Sequence, residues 1–256
     1  MPMNATNPRV AEFSRRCALE GHALYLDIDG TLLDMAPSPA AVEVPAGLVG
    51  VLERLHARLD GAVAFVSGRT ISEIDRLFQP LRLPAVGVHG GQIRTGDRAM
   101  TVDEGLAEQL QRAEPYIRAA LSGLAGVSME NKHSAIALHY RGAPERGRQV
   151  LHVAELALAG LGREFGVVVG KCVVELRPRQ CNKGTALQRL MEQAPFYGRT
   201  PVFAGDDTTD EDAFEYVNRV GGVSLRVGPA GVPTAATCRL PDPEALRAWL
   251  AQVAEA

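Results

Sequence analysis

The sequence lacks the features that mark secreted, membrane-bound and nucleic-acid-binding proteins. Its first sixteen residues contain no apolar segment of the kind that a secretory signal needs. No apolar run approaches the roughly 18 residues of a membrane-spanning helix. The formal net charge of −3 provides no general attraction to nucleic acid or to an acidic membrane. We therefore expect a cytoplasmic protein without nucleic-acid or membrane partners.

Cysteine is scarce, and several familiar ligand motifs are incomplete. Cys17, Cys172, Cys181 and Cys238 form no C-x-x-C pair, so we expect reduced thiols and no zinc site. The segment that starts at Asp27 fails as a calcium loop, because its glycine comes at the fourth position and its twelfth residue is serine. Residues 166–172 are one residue short of a P-loop. No G-x-G-x-x-G follows a predicted strand and no G-x-S-x-G occurs, so dinucleotide and serine-hydrolase sites have no support.

The rest of the composition is that of a globular protein. Of the 256 residues, 46% are apolar and 22% are charged, and this length suits one large domain or a domain with an insertion. Strand-like apolar runs alternate with helix-like segments near both ends of the chain, which predicts an α/β fold with a parallel sheet. The predicted strands are 23–27, 61–69, 84–91, 200–207 and 221–228, and the predicted helices are 45–59, 70–81, 182–194 and 208–220.

The middle of the chain has a different pattern. Residues 126–142 alternate about a polar turn like an antiparallel hairpin, 146–162 have a helical pattern, and 166–178 predict two strands about Gly170. These segments indicate an α+β insertion within the α/β domain. The predicted division is a core domain, residues 1–92 and 178–256, and an inserted domain, residues 93–177.

Acidic side chains follow the predicted strands of the core. Asp27 and Asp29 are spaced to point to one side of an extended segment. Asp206 and Asp207 end another strand, and Asp210 follows on the next turn. Since ligands bind at the carboxyl ends of parallel strands, we expect these groups to converge there. Their mutual repulsion would be relieved by a hard divalent cation, and Mg²⁺ suits such a partial carboxylate cage.

Two further groups fit a phosphate ester at this edge. Ser67 ends a predicted strand and supplies a hydroxyl, and Lys183 stands at a predicted helix N-terminus, a position that favours phosphate. A carboxylate inside such a pocket can act as the nucleophile and form an aspartyl-phosphate. The residues thus predict phosphoryl chemistry.

The same motifs resemble those of haloacid-dehalogenase-like phosphohydrolases. More narrowly, their set and order resemble the trehalose-6-phosphate phosphatases, a resemblance that spans most of the chain. The motifs that carry it are "LDIDGTL" (26–32), "SGR" (67–69), "VHGG" (88–91), "ENK" (130–132), "HYR" (139–141), "VELRP" (174–178), "NKG" (182–184) and "GDDTTDE" (205–211). It implies a Rossmann-like parallel-sheet core with an inserted α+β cap domain of the C2 type.

The resemblance also implies roles for the core residues. Asp27 is the expected nucleophile, and Asp29 the expected acid that protonates the leaving oxygen and then the base that activates water. Ser67 and Lys183 are expected to bind the phosphoryl oxygens, and Thr31 to fix the loop geometry. The expected Mg²⁺ ligands are the Asp27 carboxylate, the Asp29 main-chain carbonyl and Asp206, with Asp207 or Asp210 in support.

Sugar recognition is expected to fall mainly to the cap, which would close over the substrate and exclude water. The residues expected to contact the disaccharide are Glu130, Lys132, Arg141 and Glu175 in the cap, with Arg69, His89, Gly90 and Asn182 lining the core side. We expect a monomer that acts on a phosphorylated disaccharide. A phosphatase for another sugar phosphate, such as sucrose phosphate, a hexose-phosphate mutase and a non-enzymatic binding domain remain alternatives.

Overall fold

The structure is a computed structural model that describes residues 20–36, 41–96, 99–170 and 172–255. Cys17 and the N-terminal segment lie outside these ranges. The strands are β1 (His22–Leu26), β2 (Val63–Val66), β3 (Ala85–Gly87), β4 (Gln92–Arg94), β5 (Met100–Thr101), β6 (Ser128–Asn131), β7 (Ile136–His139), β8 (Phe165–Gly170), β9 (Val173–Pro178), β10 (Thr200–Gly205), β11 (Val223–Val227) and β12 (Cys238–Leu240).

Helices alternate with these strands over much of the chain. The α-helices are α1 (Leu48–Arg58), α2 (Ile71–Leu77), α3 (Glu104–Gln111), α4 (Glu114–Leu121), α5 (Gly147–Ala159), α6 (Lys183–Met191), α7 (Glu211–Arg219) and α8 (Pro243–Glu255). Short 3₁₀ turns cover Val88–Gly90, Pro144–Arg146 and Thr208–Asp210. None of the helices in the described ranges is long and apolar enough to cross a membrane.

The large sheet positions the predicted acidic edge. Within the described residues it has eight strands, in the order β12-β11-β10-β1-β2-β3-β4-β5. The pairings from β12 through β3 are all parallel, whereas β4 and β5 are antiparallel. Because β1 lies between β10 and β2, the residues that follow these three strands meet at one edge. The predicted Rossmann-like α/β core is confirmed.

The central strands are buried on both faces, as parallel strands covered by helices must be. All apolar residues of β1 and β2 are almost completely inaccessible to solvent, which explains why both read as continuous apolar runs. Helix α1 packs against α8, and α6 packs against α7. The aromatic rings of Phe65 and Phe78 stack within this core, as do those of Tyr25 and Phe196.

A second, antiparallel sheet carries the residues that are expected to form the cap. Its order is β6-β7-β9-β8, and the hairpins predicted over 126–142 and 166–178 are both present. Apolar residues of this sheet and of α3, α4 and α5 form a hydrophobic cluster separate from that of the large sheet. The two parts of the molecule therefore each bury their own core.

Two features differ from the sequence expectations. The strand predicted over 84–91 ends at Gly87, after which Val88 and His89 both adopt φ of 50°, a conformation that bulky residues rarely take. The chain after residue 92 remains in the large sheet through β4 and β5, so sheet membership changes between Thr101 and Ser128 rather than at residue 93. The division into two domains itself stays a prediction.

Candidate active site

Asp27 follows β1 and lies at the centre of the sheet edge. Its backbone N–H donates to the Ala204 carbonyl at 3.0 Å, which extends the pairing with β10 by one residue. The side chain is only 4% exposed. One carboxylate oxygen accepts from Thr31 Oγ1 at 2.9 Å, and the other accepts from Lys183 Nζ at 2.7 Å. Asp27 is thus fixed in orientation by a hydroxyl and an ammonium group.

Lys183 joins this carboxylate to a second one. It is the first residue of α6, whose N-cap is the Asn182 side chain. Its ammonium also donates to Asp210 Oδ1 at 2.5 Å. Burial lowers the pKa of Lys183, but Asp210 and Asp27 outweigh burial and hold it above its usual value. The lysine therefore stays charged at neutral pH.

Asp210 shapes the loop that follows β10. It is completely buried, and its second oxygen accepts the backbone N–H groups of Asp206 and Asp207, both at 2.9 Å. The Asp206 carboxylate in turn accepts from Thr31 Oγ1 at 3.2 Å. Since the Asp210 oxygens are held by Lys183 and two amides, its support of a metal site is indirect, through the backbone of its neighbours.

The acidic cluster is suited to a cation. One oxygen each from Asp27, Asp206 and Asp210 lies within 4.8 Å of the others. Burial raises the pKa of Asp27 well above its usual value; Lys183 opposes this rise, and Asp210 and Asp206 add to it. Burial, followed by the charge of Asp210, raises the pKa of Asp206 to about 6. A divalent cation favours the ionised carboxylates, so the Asp27 and Asp206 oxygens of this cluster fit Mg²⁺.

Glycine is required where the cluster is tightest. Gly30 has φ of 84°, and a Cβ at this position would lie 2.3 Å from Asp206 Oδ2. A side chain at residue 30 would therefore push one expected metal ligand away. The "DIDGTL" motif therefore requires glycine at this position for steric reasons.

Asp29 lies at the mouth of the cluster and pairs with Arg69. Arg69 Nε donates to Asp29 Oδ2 at 2.7 Å and Nη2 donates to Oδ1 at 2.6 Å. The sequence placed Arg69 among the residues that line the pocket, but not in contact with the expected general acid. The pair depends on the approach of two loops that are 40 residues apart, for which no local pattern exists.

Ser67 and His89 lie beside this ion pair. Ser67 is buried, and its Oγ accepts the Arg69 N–H at 3.1 Å. The His89 ring packs against Gly68, where a Cβ would lie 2.3 Å from Nε2. Burial lowers the pKa of His89 well below its usual value, and Lys183, Arg177 and Lys132 add to this effect, so the ring is neutral at neutral pH.

The second sheet faces the cluster with charged side chains. Lys132 Nζ donates to the Gly68 carbonyl at 2.9 Å, and it lies 3.9 Å from Glu130 and 4.0 Å from Glu175. The other Glu175 oxygen lies 3.5 Å from His89 Nε2. Three of the four expected cap residues, Glu130, Lys132 and Glu175, therefore lie close together on the side that faces the core.

The fourth expected cap residue and one unexpected residue complete this face. Arg141 Nη1 donates to the Ala36 carbonyl at 3.4 Å. His139 shares a 2.8 Å hydrogen bond with Glu130 Oε2 and fixes that carboxylate. Hydrogen bonding to His139 is the main cause that lowers the pKa of Glu130. His139 opens the "HYR" motif, so the sequence held a signal for it.

These groups line a cavity of about 340 Å³ between the two parts of the molecule. Its core side includes the nucleophile candidate, and its cap side includes the sugar-binding candidates. Aliphatic side chains also line part of the cavity. The expected residues that line the cavity are Asp27, Asp29, Ser67, Arg69, His89, Glu130, Lys132, Arg141, Glu175, Lys183, Asp206 and Asp207, and unexpected ones include Met35, Val42, Glu73, His139, Val168, Val173 and Thr209.

Gly90 and Asn182 are not among the residues that line this cavity. A Cβ on Gly90 would lie 2.7 Å from the Asn182 carbonyl oxygen, so the glycine permits a close approach of two backbones. The Asn182 side chain accepts the Thr185 N–H and caps α6. Gly90 and Asn182 therefore contribute to the site indirectly, because they position the neighbouring His89 and Lys183.

Some of the buried polar atoms without hydrogen-bond partners lie at the junction of the two parts. Among the described residues they include Glu175 Oε1, His89 Nδ1, Ser134 Oγ and Arg177 Nη1. Arg177 follows Glu175 by two residues on β9, so both point to the same side of the sheet. Arg177 was not among the predicted site residues, and it does not line the cavity. Such unsatisfied groups are costly in a closed core and are typical of sites that receive polar ligands.

Comparisons with known proteins agree on one family. The family model described as Trehalose-phosphatase matches residues 25–244. A relative named probable trehalose-phosphate phosphatase from Sinorhizobium fredii is 42% identical over 236 residues, which cover 92% of this chain and 89% of that relative. The trehalose-6-phosphate phosphatase of Escherichia coli K12 is 36% identical over 238 residues, which cover 92% and 87%.

Solved structures agree on the fold. The C-terminal domain of a C. albicans trehalose-6-phosphate phosphatase superposes with a TM-score of 0.78 at 22% identity, over 99% of both chains. A trehalose-6-phosphate phosphatase related protein superposes with a TM-score of 0.73 at 25% identity, over 91% of this chain and 97% of the other. The arrangement of the two sheets is therefore shared with these proteins.

Proposed function

Because the chain belongs to the trehalose-phosphatase family, we propose that it hydrolyses trehalose 6-phosphate to trehalose and inorganic phosphate, the last step of trehalose biosynthesis. The observation that carries the proposal is the shared cavity, in which the Asp27–Lys183 pair faces the charged cap residues. A phosphate group and a polyhydroxylated sugar require these two kinds of surface.

The proposed reaction has two displacements at phosphorus. A carboxylate oxygen of Asp27 attacks the phosphorus atom while the bond to the sugar oxygen breaks, and Asp29, which enters this step protonated and regains its proton from water in the second step, donates a proton to that leaving oxygen. The product is an aspartyl-phosphate on Asp27. Asp29 then removes a proton from water, which attacks phosphorus and releases inorganic phosphate and the free Asp27 carboxylate. Thr31 and Lys183 hold Asp27 in one orientation for both steps.

Charge at the phosphoryl group requires positive partners. Lys183 provides one, and the Ser67 hydroxyl provides a hydrogen-bond donor. We propose that the Asp27 and Asp206 carboxylates and the Asp29 main-chain carbonyl hold Mg²⁺, with Asp207 in support and Asp210 acting through the loop backbone. When bound, the cation supplies electrostatic stabilisation of the phosphoryl oxygens.

The sugar is proposed to bind on the cap side. Glu130, Arg141 and Glu175 offer charged hydrogen-bond partners, and the Glu175 oxygen that has no hydrogen-bond partner is well suited to a sugar hydroxyl. Binding energy from these remote contacts would help to hold the reacting phosphate in place. The cytoplasmic location and the monomeric state stay predictions.

A phosphate-release assay with a panel of sugar phosphates tests the proposal. The panel contains trehalose 6-phosphate, sucrose 6-phosphate, glucose 6-phosphate and p-nitrophenyl phosphate, each with Mg²⁺ and after chelation. We expect Mg²⁺-dependent release with trehalose 6-phosphate strongly preferred. Preference for another sugar phosphate would reject the substrate, and transfer between sugar hydroxyls without phosphate release would indicate a mutase instead.

A further inference from the structure

The loop formed by Ser67, Gly68 and Arg69 joins the proposed phosphoryl site to the proposed general acid. Ser67 contributes its hydroxyl, and Arg69 binds both oxygens of Asp29. A displacement of Gly68 would therefore move the hydroxyl and the guanidinium together. The position of Gly68 matters for the chemical step, although it has no side chain of its own.

The core holds this loop from one side. Ser67 N–H donates to the Val86 carbonyl, and the turn after β3 adds bonds from Val88 N–H to the Arg69 carbonyl at 2.9 Å and from His89 N–H to the Ser67 carbonyl at 3.0 Å. The His89 ring packs directly against the Gly68 Cα. These contacts leave the Gly68 carbonyl directed to the opposite side, toward the cap.

The donor to that carbonyl comes from the cap. Lys132 Nζ lies 2.9 Å from the Gly68 oxygen, whereas its distances to Glu130 and Glu175 are 3.9 and 4.0 Å, at the outer limit of an ion pair. Lys132 is presented by a tight turn, in which its N–H donates to the Ala135 carbonyl and its carbonyl accepts the Ser134 N–H. The ammonium is thus held at a defined place across the junction.

We infer that Lys132 is a positioning residue for the Ser67–Arg69 loop, and not solely a ligand of the sugar. Its hydrogen bond to Gly68 couples the seating of the cap to the geometry of the Ser67 hydroxyl and of the Arg69–Asp29 pair. The inference rests on the proposed phosphatase function but not on the identity of the sugar. It predicts that loss of Lys132 slows a substrate that has no sugar at all.

The test uses p-nitrophenyl phosphate and trehalose 6-phosphate with saturating Mg²⁺, and determines kcat and KM separately. We expect Lys132→Met to lower kcat about tenfold or more on both substrates, the usual cost of one charge-assisted hydrogen bond. Lys132→Arg can still donate to the Gly68 carbonyl and should restore kcat on the aryl phosphate to within about threefold of wild type. His133→Asn is the control, because His133 lies on the same turn, has φ of 66° and pairs with Glu104 away from the cavity.

Several outcomes would overturn the inference. Lys132→Met with kcat on the aryl phosphate within about twofold of wild type would leave Lys132 as a sugar ligand only. An arginine variant no better than the methionine variant would show that the hydrogen bond is not responsible. If Lys132→Met does not fold, Lys132→Gln replaces it, since its shorter amide stays polar beside the two glutamates but does not reach Gly68. If the wild-type protein hydrolyses the aryl phosphate but not trehalose 6-phosphate, the proposed substrate is rejected, and the aryl phosphate still tests the role of Lys132. If it hydrolyses neither substrate, the proposed function and the inference are both rejected.

Discussion

Arg69 binds Asp29 through two parallel hydrogen bonds, so both oxygens of the proposed general acid are held by one guanidinium. Burial lowers the pKa of Arg69, but the hydrogen bond and the charge of Asp29 raise it by more, so the guanidinium remains charged. The planar fork of arginine fixes the plane and direction of a carboxylate, which a lysine ammonium does not. The pair therefore determines where Asp29 can meet the leaving oxygen.

Arg69→Lys tests this orientation. We expect kcat for trehalose 6-phosphate to fall about tenfold or more, because one ammonium cannot hold both Asp29 oxygens. The fall should be smaller for p-nitrophenyl phosphate, whose leaving group departs without a proton. The measurement is kcat for both substrates, with Arg82→Lys as control, since Arg82 is largely exposed and pairs with Asp75. An equal loss on both substrates would assign Arg69 to the phosphoryl group instead.

Asp27→Asn should abolish turnover. An amide is a poor nucleophile, so we expect kcat to fall at least about a thousandfold on both substrates. Steady-state phosphate release is the measurement, and circular dichroism checks that the variant folds without the Lys183 ion pair. Asp212→Asn is the matched control, because Asp212 is an exposed aspartate on α7. Activity within about tenfold of wild type would contradict the aspartyl-phosphate mechanism.

Local sequence patterns were sufficient for the elements that hold the catalytic groups. Strand β1 is a continuous apolar run that ends at Asp27, and α6 begins with an asparagine cap before Lys183, so both positions follow from short-range signals. Strands β4 and β5 have only three and two residues, which is too few to show the alternation of a strand. The sequence pattern therefore did not predict them.

Contacts across long sequence separations could not be predicted from such patterns. The strand over 84–91 ends early because Val88 and His89 turn back to bond with the Ser67–Arg69 loop, a tertiary effect. The Arg69–Asp29 pair and the Lys132–Gly68 bond likewise join segments that are 40 and 64 residues apart. The residue types of the site were therefore predictable, but its hydrogen-bond pairing was not.

The effect of Mg²⁺ on thermal stability should depend on pH through Asp206. The pKa of Asp206 is raised to about 6, above that of an aspartate in an unfolded chain, which is about 3.9. Its protonated form therefore stabilises the metal-free fold fully at low pH, and this contribution is lost as pH rises through about 6. A cation offsets that loss, so we expect Mg²⁺ to raise Tm more at about pH 7.5 than at about pH 5.

Differential scanning fluorimetry with and without saturating Mg²⁺ measures this difference. The control is Asp206→Asn, in which the Mg²⁺-induced shift in Tm should be smaller than in the wild-type protein and should grow less with pH, since only the Asp27 carboxylate then titrates in the proposed metal site. Equal shifts in Tm at both pH values for the wild-type protein would show that the cation does not depend on the ionised Asp206 carboxylate.

Variants in the cap should separate sugar recognition from phosphoryl transfer. Glu130→Ala, Arg141→Ala and Glu175→Ala each remove a charged hydrogen-bond partner on the cap side of the cavity. We expect kcat/KM for trehalose 6-phosphate to fall about ten- to a hundredfold, which corresponds to roughly 1.5–3 kcal/mol per bond. Part of the loss should appear in kcat, since remote binding energy helps to hold the cap over the reacting phosphate.

The comparison with p-nitrophenyl phosphate gives this prediction its discriminating power. The aryl phosphate makes none of the sugar contacts, so its kcat/KM should change much less than that of trehalose 6-phosphate in all three variants, whereas Lys183→Ala should impair both substrates. Glu104→Ala is the control for an exposed glutamate, because Glu104 pairs with His133 away from the cavity. Full activity of the three variants on trehalose 6-phosphate would reject the disaccharide assignment. Equal losses on both substrates would instead mean that these charges hold the two parts of the molecule together. A substrate without a sugar is slowed only if the variant disturbs the phosphoryl site, which both substrates use.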